Sequence, residues 1–363
     1  MFSTTPGARA TLLAEFPELA AYGRVAVRLH PRPGAPGTRD SSVGGPLLWP
    51  AGEEWPMCAE EHTVPRPRKP AGDANALLER RKARFAALGM PLPPGLSRRK
   101  TADGTTDGTA EGATDGATDG AADSAPAQLP AAEPDLGPVV MAPVLQLFQR
   151  DAPGADFFPA GADLLQLLWC PAEHAGPRPL LPRAFWRSAD AIGAPLEHAP
   201  ALNRVFGDRY VPRPCVVHPE QVVEYPPVRL LAGDPEKGLF GLLPAELETR
   251  IRRWDLEQPD SYTYDVLAHA PGWKAGGWER SAPEPGALVA CACGAPMRPL
   301  LETFVDEQLR GAWAPVGTPG FAWGDPDDRH DQEPTGVSVA RDGATWVRVC
   351  TADPRHPLDH GLS

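Results

Sequence analysis

A chain of 363 residues with 42% apolar side chains can bury a sizeable core, and its net charge of −12 argues against general affinity for nucleic acid. The longest apolar runs, such as residues 164–170, are too short to cross a bilayer. Residues 1–16 lack the basic start and apolar core of a secretion signal, so a cytoplasmic protein is expected.

Residues 8–16 read as a short helix, stopped by Pro17 and closed by Gly23. Val25, Val27 and Leu29 then alternate with Arg24, Arg28 and His30, which is the period of a half-buried strand. Residues 40–55 form a Gly- and Pro-rich loop with two tryptophans. Asp73 can cap a helix over 74–88 that carries an apolar stripe and a basic back of Arg80, Arg81, Lys82 and Arg84. Residues 101–124 hold six acids, no base and no large apolar side chain in a Thr-Asp-Gly period, and read as a flexible linker.

Residues 139–148 and 164–169 are nearly continuous apolar runs, as expected of strands buried on both faces. Further strands are expected over 215–217 and 221–225, and an amphipathic helix over 244–254, with Leu247, Ile251 and Trp254 on one face. Residues 337–341 and 344–350 flank Asp342-Gly343, a two-residue hairpin signal. Strands outnumber helices and no βαβ alternation is present. The predicted class is therefore α+β, a largely antiparallel β-sheet core with a few peripheral helices, interrupted by a disordered acidic insert. The matching division is 1–73 as the N-terminal part of one domain, 74–100 as a basic helix and tail, 101–138 as a linker, and 139–363 as the rest of the domain.

Six cysteines without a secretion signal read as reduced thiols or metal ligands. Cys291 and Cys293 would point to opposite faces of a strand, but a turn can present both to one ion, and Cys350 with His356 completes four zinc ligands. Cys58 with His62 and Cys170 with His174 each show a Cys-x-x-x-His spacing, with no second pair near either in sequence. The competing reading is that Cys170, Cys215 and Cys350 are small buried apolar residues. Gly44 and Gly45 beside Trp49 and Trp55, and Gly276 and Gly277 beside Trp273, Lys274 and Trp278, can wall a shared ligand cleft; alternatively the glycines make turns and the tryptophans fill the core. The acidic loop 325–331 reads as a solvated charged segment. No nucleophile elbow, zincin helix or phosphate-cradling loop is present.

Several stretches, in order, resemble the YwqG-like family of uncharacterised bacterial proteins. They are Ser42-Val43-Gly44-Gly45-Pro46, Glu54-Trp55-Pro56, Val144 to Gln149, Gly161 with Leu164 to Leu168, Gly276-Gly277-Trp278, and Cys293-Gly294 with Met297 and Leu300-Leu301. The match spans most of the chain outside 57–138 and the last few residues. It departs at Glu279, where the family pattern has proline, and at Cys291-Ala292-Cys293, where it has Cys-x-x-Cys. The resemblance implies an α+β fold around a large sheet, no established activity, and for some members an immunity-type role. The expectation is a non-enzymatic binding protein that acts on a protein partner, with no cofactor beyond zinc. The alternative is an enzyme or small-molecule binder that uses the Gly-Gly-Trp cleft.

Overall fold

Residues 164–169 are apolar at every position but Gln166, and a segment of that kind is stable only where both of its faces are covered. The computed structural model describes residues 7–62, 137–172, 174, 180–205, 207–228, 242–259, 262–279, 289–304, 313, 334–338 and 344–362. The chain divides into one unit of Met1–Thr63 with Asp135–Ser363 and another of Val64–Pro134, and every described residue belongs to the first. The helix expected over 74–88, the acidic repeat, the 325–331 loop and the 342–343 turn lie outside the described residues.

In chain order the first elements are helix α1 (Gly7–Glu15), a 3-10 turn (Pro17–Tyr22), and strands β1 (Arg24–Arg28), β2 (Arg32–Pro33), β3 (Ser42–Val43) and β4 (Met57–Cys58). After the second unit come β5 (Val139–Val140), β6 (Ala142–Phe148), β7 (Leu164–Trp169), β8 (Pro182–Arg187), β9 (Cys215–Val216) and β10 (Glu220–Glu224). Helices α2 (Ala245–Asp255) and α3 (Tyr264–Ala268) precede β11 (Trp273–Gly276), β12 (Met297–Phe304), β13 (Ala344–Cys350) and β14 (Asp359–Leu362). The fold is α+β with a largely antiparallel core: two six-stranded sheets, ordered β10-β1-β11-β12-β13-β14 and β2-β9-β3-β6-β7-β8, and a small β4-β5 pair. Residues 337–338, expected to begin a strand, are not in one.

Both sheets contribute to one central core, with Val27, Trp273, Leu301 and Val347 from the first and Val43, Leu145, Leu167 and Cys215 from the second. The other face of the first sheet is covered by the helices. Leu12 of α1, Leu247 and Ile251 of α2 and Tyr264 of α3 pack on Ala26 and Val222. This explains a departure from the alternation in β1. It was expected to be half buried, yet Ala26, Val27 and Arg28 are all buried because helices close its second face. In α2 the acids Glu246 and Glu248 sit in the first turn and Arg252 and Arg253 in the last, the order that complements the helix dipole.

The two sheets are built on one plan. Read outward from the same edge, β2, β9, β3, β6, β7 and β8 correspond to β10, β1, β11, β12, β13 and β14. The registers correspond too. Ser42 faces Gln146 and Val216 as Lys274 faces Glu302 and Arg28. The β6-β7 pair slips between Pro143 and Leu145, and the β12-β13 pair slips between Pro299 and Leu301. Aligned in this way, Met141, Pro143, Leu145 and Phe148 meet Met297, Pro299, Leu301 and Phe304, and His30-Pro31 meets His218-Pro219. The first strand of each half is exchanged: β1 lies between β10 and β11 of the second half, and β9 lies between β2 and β3 of the first.

Candidate metal centres

The shared plan places four cysteines at equivalent points. Met57 pairs with Val140 as Ala290 pairs with Pro296, so Cys58 and Cys291 hold the same position beside the strand that leads into β6 or β12. Cys170 follows Trp169, which faces Ala142, and Cys350 follows Val349, which faces Arg298, so these two also correspond. Each half thus brings one cysteine from before its long hairpin next to one from the hairpin's end. A second ligand pair, different in the two halves, completes each group. The ligand atoms within each set of four lie within 4.8 Å of one another, so each set can hold a metal ion.

In the first group, the Cys58 Sγ lies 3.3 Å from His174 Nε2 and the Cys170 Sγ 3.3 Å from His62 Nε2. His62 and His174 are joined by an antiparallel bridge, with ring centroids 4.8 Å apart. Trp55, Val139 and Met141 pack around the two thiols, and Trp55 donates to the Met141 carbonyl at 2.9 Å. The thiols share their proton unequally. A hydrogen bond from the Cys170 thiol lowers the Cys58 pKa to about 3, while that bond and burial push Cys170 up.

In the second group, the Cys291 Sγ lies 3.6 Å from His356 Nδ1 and the Cys293 Sγ 3.5 Å from the Cys350 Sγ. The i, i+2 cysteines converge because residues 291–295 form a tight turn, not a strand. Gly294 N donates to the Cys291 carbonyl at 2.8 Å, Cys291 N to the Ala295 carbonyl at 2.8 Å, and Gly294 takes φ +86°. The structure therefore brings together all four residues expected as zinc ligands. Thr351 anchors the other arm by donating N–H and O–H to the Pro296 carbonyl. The backbone N–H of Asp353 lowers the Cys350 pKa to about 6. Cys215 shows the opposite chemistry, since burial without a ligand partner raises its pKa to about 11.

Tetrahedral zinc with bonds near 2.3 Å to sulfur and 2.0–2.1 Å to nitrogen sets sulfur–nitrogen edges of about 3.6 Å and sulfur–sulfur edges of about 3.8 Å. The measured 3.3–3.6 Å separations approach those edges. Sequence reading missed the first group because its two Cys-x-x-x-His pairs are 108 residues apart (His62 to Cys170) and meet only through the sheet. The repeated spacing was the signal available.

The residues expected to wall a cleft are distributed differently. Gly44 and Gly45 follow β3 in one sheet, and Gly276 and Gly277 close β11 in the other. Trp49 and Trp55 pack on each other (centroids 5.2 Å) inside the first metal group's apolar shell, whereas Trp273 belongs to the central core. The space a side chain at Gly44 would need is taken by the Arg213 carbonyl at 2.6 Å, and that at Gly277 by Glu224 and Ala26. Lys274 is fully buried. Its Nζ donates to Glu224 Oε1 and Oε2 at 2.8 and 3.0 Å and to the Trp278 carbonyl at 2.7 Å, with Glu302 Oε2 at 3.1 Å. Burial acts to lower its pKa, and the two carboxylates outweigh this, so the ammonium is held above its ordinary value. The indole of Trp278 donates to the Tyr22 carbonyl at 3.0 Å and lies under the Arg24 guanidinium.

No helix among the described residues is long and apolar enough to cross a membrane. No family model matches the chain, and no curated protein matches it.

Proposed function

We propose that this chain is a non-enzymatic binding protein in which a structural zinc ion closes the same corner of each half. The carrying observation is the pair of Cys/His tetrads, in each of which two cysteines stand at equivalent points of the two halves. Thiolate and imidazole are the ligand set of zinc, whereas calcium and magnesium take oxygen. Four protein ligands fill a tetrahedral shell and leave no position for water or substrate, which is the arrangement of structural sites. A binding role also agrees with the resemblance to the YwqG-like family and with the immunity-type function that resemblance implies. The net charge of −12 suits a basic protein partner.

The test is metal analysis by mass spectrometry on protein purified without chelator. Two zinc equivalents per chain are expected, and a chelator should lower the melting temperature. Metal well below one equivalent, or indifference of the melt to chelation, would overturn the zinc reading.

A further inference from the structure

The two tetrads share a frame but not an environment. In the first, Cys58, Cys170 and His174 are 2%, 0% and 8% exposed, His62 is half buried, and apolar side chains pack around the thiols. In the second, Cys293 is exposed at the tip of the 291–295 turn and His356 is half buried. The second centre thus has an outward sulfur 3.5 Å from that of Cys350. A disulfide requires about 2.05 Å, so closure needs a shift of roughly 1.5 Å, which a rotation of the exposed Cys293 side chain on its turn can supply. Susceptibility to oxidation depends on access, and of the six cysteines Cys293 alone is exposed.

We propose that the Cys291–Cys293–Cys350–His356 centre is an oxidant-responsive zinc-release site, and that the Cys58–His62–Cys170–His174 centre keeps its metal. This rests on the zinc reading above. Hydrogen peroxide is the oxidant class. The Cys293 thiolate attacks one peroxide oxygen, the O–O bond breaks, and the departing hydroxide takes a proton from solvent, leaving a sulfenic acid. The Cys350 thiolate then attacks that sulfur, the S–S bond forms, the S–O bond breaks, and the oxygen leaves as water with a second solvent proton. Two thiolates, one peroxide and two protons become one disulfide and two waters. Zinc, left with Cys291 and His356, leaves as the hydrated ion. A dithiol reductant with added zinc restores the centre.

The experiment follows zinc release with a metallochromic dye while full-length, zinc-loaded protein reacts with hydrogen peroxide. Disulfides are mapped by differential alkylation and peptide mass spectrometry. One zinc per chain should leave in a first phase together with a Cys293–Cys350 disulfide, and the second should leave at least about tenfold more slowly. In Cys293→Ser the fast phase and its disulfide should vanish. Two zinc ions lost at one rate, a first disulfide between Cys58 and Cys170, or a fast phase that persists in Cys293→Ser would overturn this inference alone. Protein that carries no zinc at the outset would overturn the zinc reading and this inference with it.

Discussion

Replacing Lys274 with methionine keeps most of the apolar stem and removes the ammonium. Glu224 and Glu302 would then be left 0% and 3% exposed with their shared cation gone. Removing one partner of a buried ion pair costs about 3–5 kcal/mol. With two carboxylates stranded, the upper end applies, about 5 kcal/mol. At roughly 2–4 °C per kcal/mol for a unit of this size, the melting temperature should fall by about 10–20 °C at pH 7. Burial raises the pKa of a stranded carboxylate, so the folded variant takes up protons before the unfolded chain does. The deficit should therefore shrink as pH falls from 7 towards 5. The assay is thermal unfolding by circular dichroism at both pH values with zinc held constant. The triple variant Lys274→Met/Glu224→Leu/Glu302→Leu should recover much of the loss, since an apolar replacement of a whole buried ion group is tolerated better than a broken one. A Lys274→Met protein within 1 kcal/mol of the parent would refute this reasoning and return Lys274 to candidacy as a ligand-binding cation.

Three further outcomes follow from the same geometry. Cys170→Ala should remove one zinc per chain, whereas Cys215→Ala, which deletes a buried thiol outside both tetrads, should keep two; equal zinc loss in both variants would contradict the assignment. Gly44→Ala places a methyl at φ +76° against the Arg213 carbonyl and should destabilise by more than about 2 kcal/mol, while Gly161→Ala, at φ +79° in open space, should cost about 1 kcal/mol; similar losses in denaturant titrations would undermine the packing argument. Burial raises the Asp255 pKa to about 6, against the opposing hydrogen bond from Tyr264 N. The folded state therefore holds the extra proton between about pH 4 and 6, and stability is lost as pH rises through that window. Asp255→Asn should accordingly outperform the parent at pH 7 by on the order of 2 kcal/mol and lose that advantage near pH 4. A pH-independent difference would dismiss the Asp255 explanation.

Strands β7 and β13 and helix α2 were legible because each carries its own signal: continuous apolar residues in β7, β-propensity residues after the Asp342-Gly343 dipeptide in β13, and a stripe at helical spacing in α2. Strands β8 and β11 gave no such signal. Strand β8 begins with Pro182 and carries Arg183 and Arg187, and β11 is Trp-Lys-Ala-Gly, whose lysine is soluble in the core only because two glutamates meet it there. The second metal group was readable because Cys291 and Cys293 are neighbours. The first needed the knowledge that β4 and the end of β7 converge. The shared plan of the two sheets was hidden for a physical reason. A sheet constrains the shape and register of equivalent positions, not their charge, so the two interiors differ. In the first half Gln146 takes hydrogen bonds from Leu48 N at 2.7 Å and Gln166 Nε2 at 3.0 Å, while the corresponding Glu302 in the second half meets an ammonium. Arg348, clamped between Glu279 and Asp359, stands where the first half has Leu168.

The exchanged first strands impose an order on synthesis. Strand β1 leaves the ribosome early, yet its two partners, β10 and β11, are encoded about 190 and 250 residues later. At about 5–20 residues per second, β1 waits roughly 10–50 seconds with both backbone edges unpaired. Meanwhile β6, β7 and β8 can pair in sequence, and Cys58, His62, Cys170 and His174 are all present once residue 174 has emerged. A nascent chain can thus bring these four side chains together before β1 has found a sheet. Until then the open edges of Val25 to Leu29 can pair with other chains, so shielding this segment should raise the yield of folded protein.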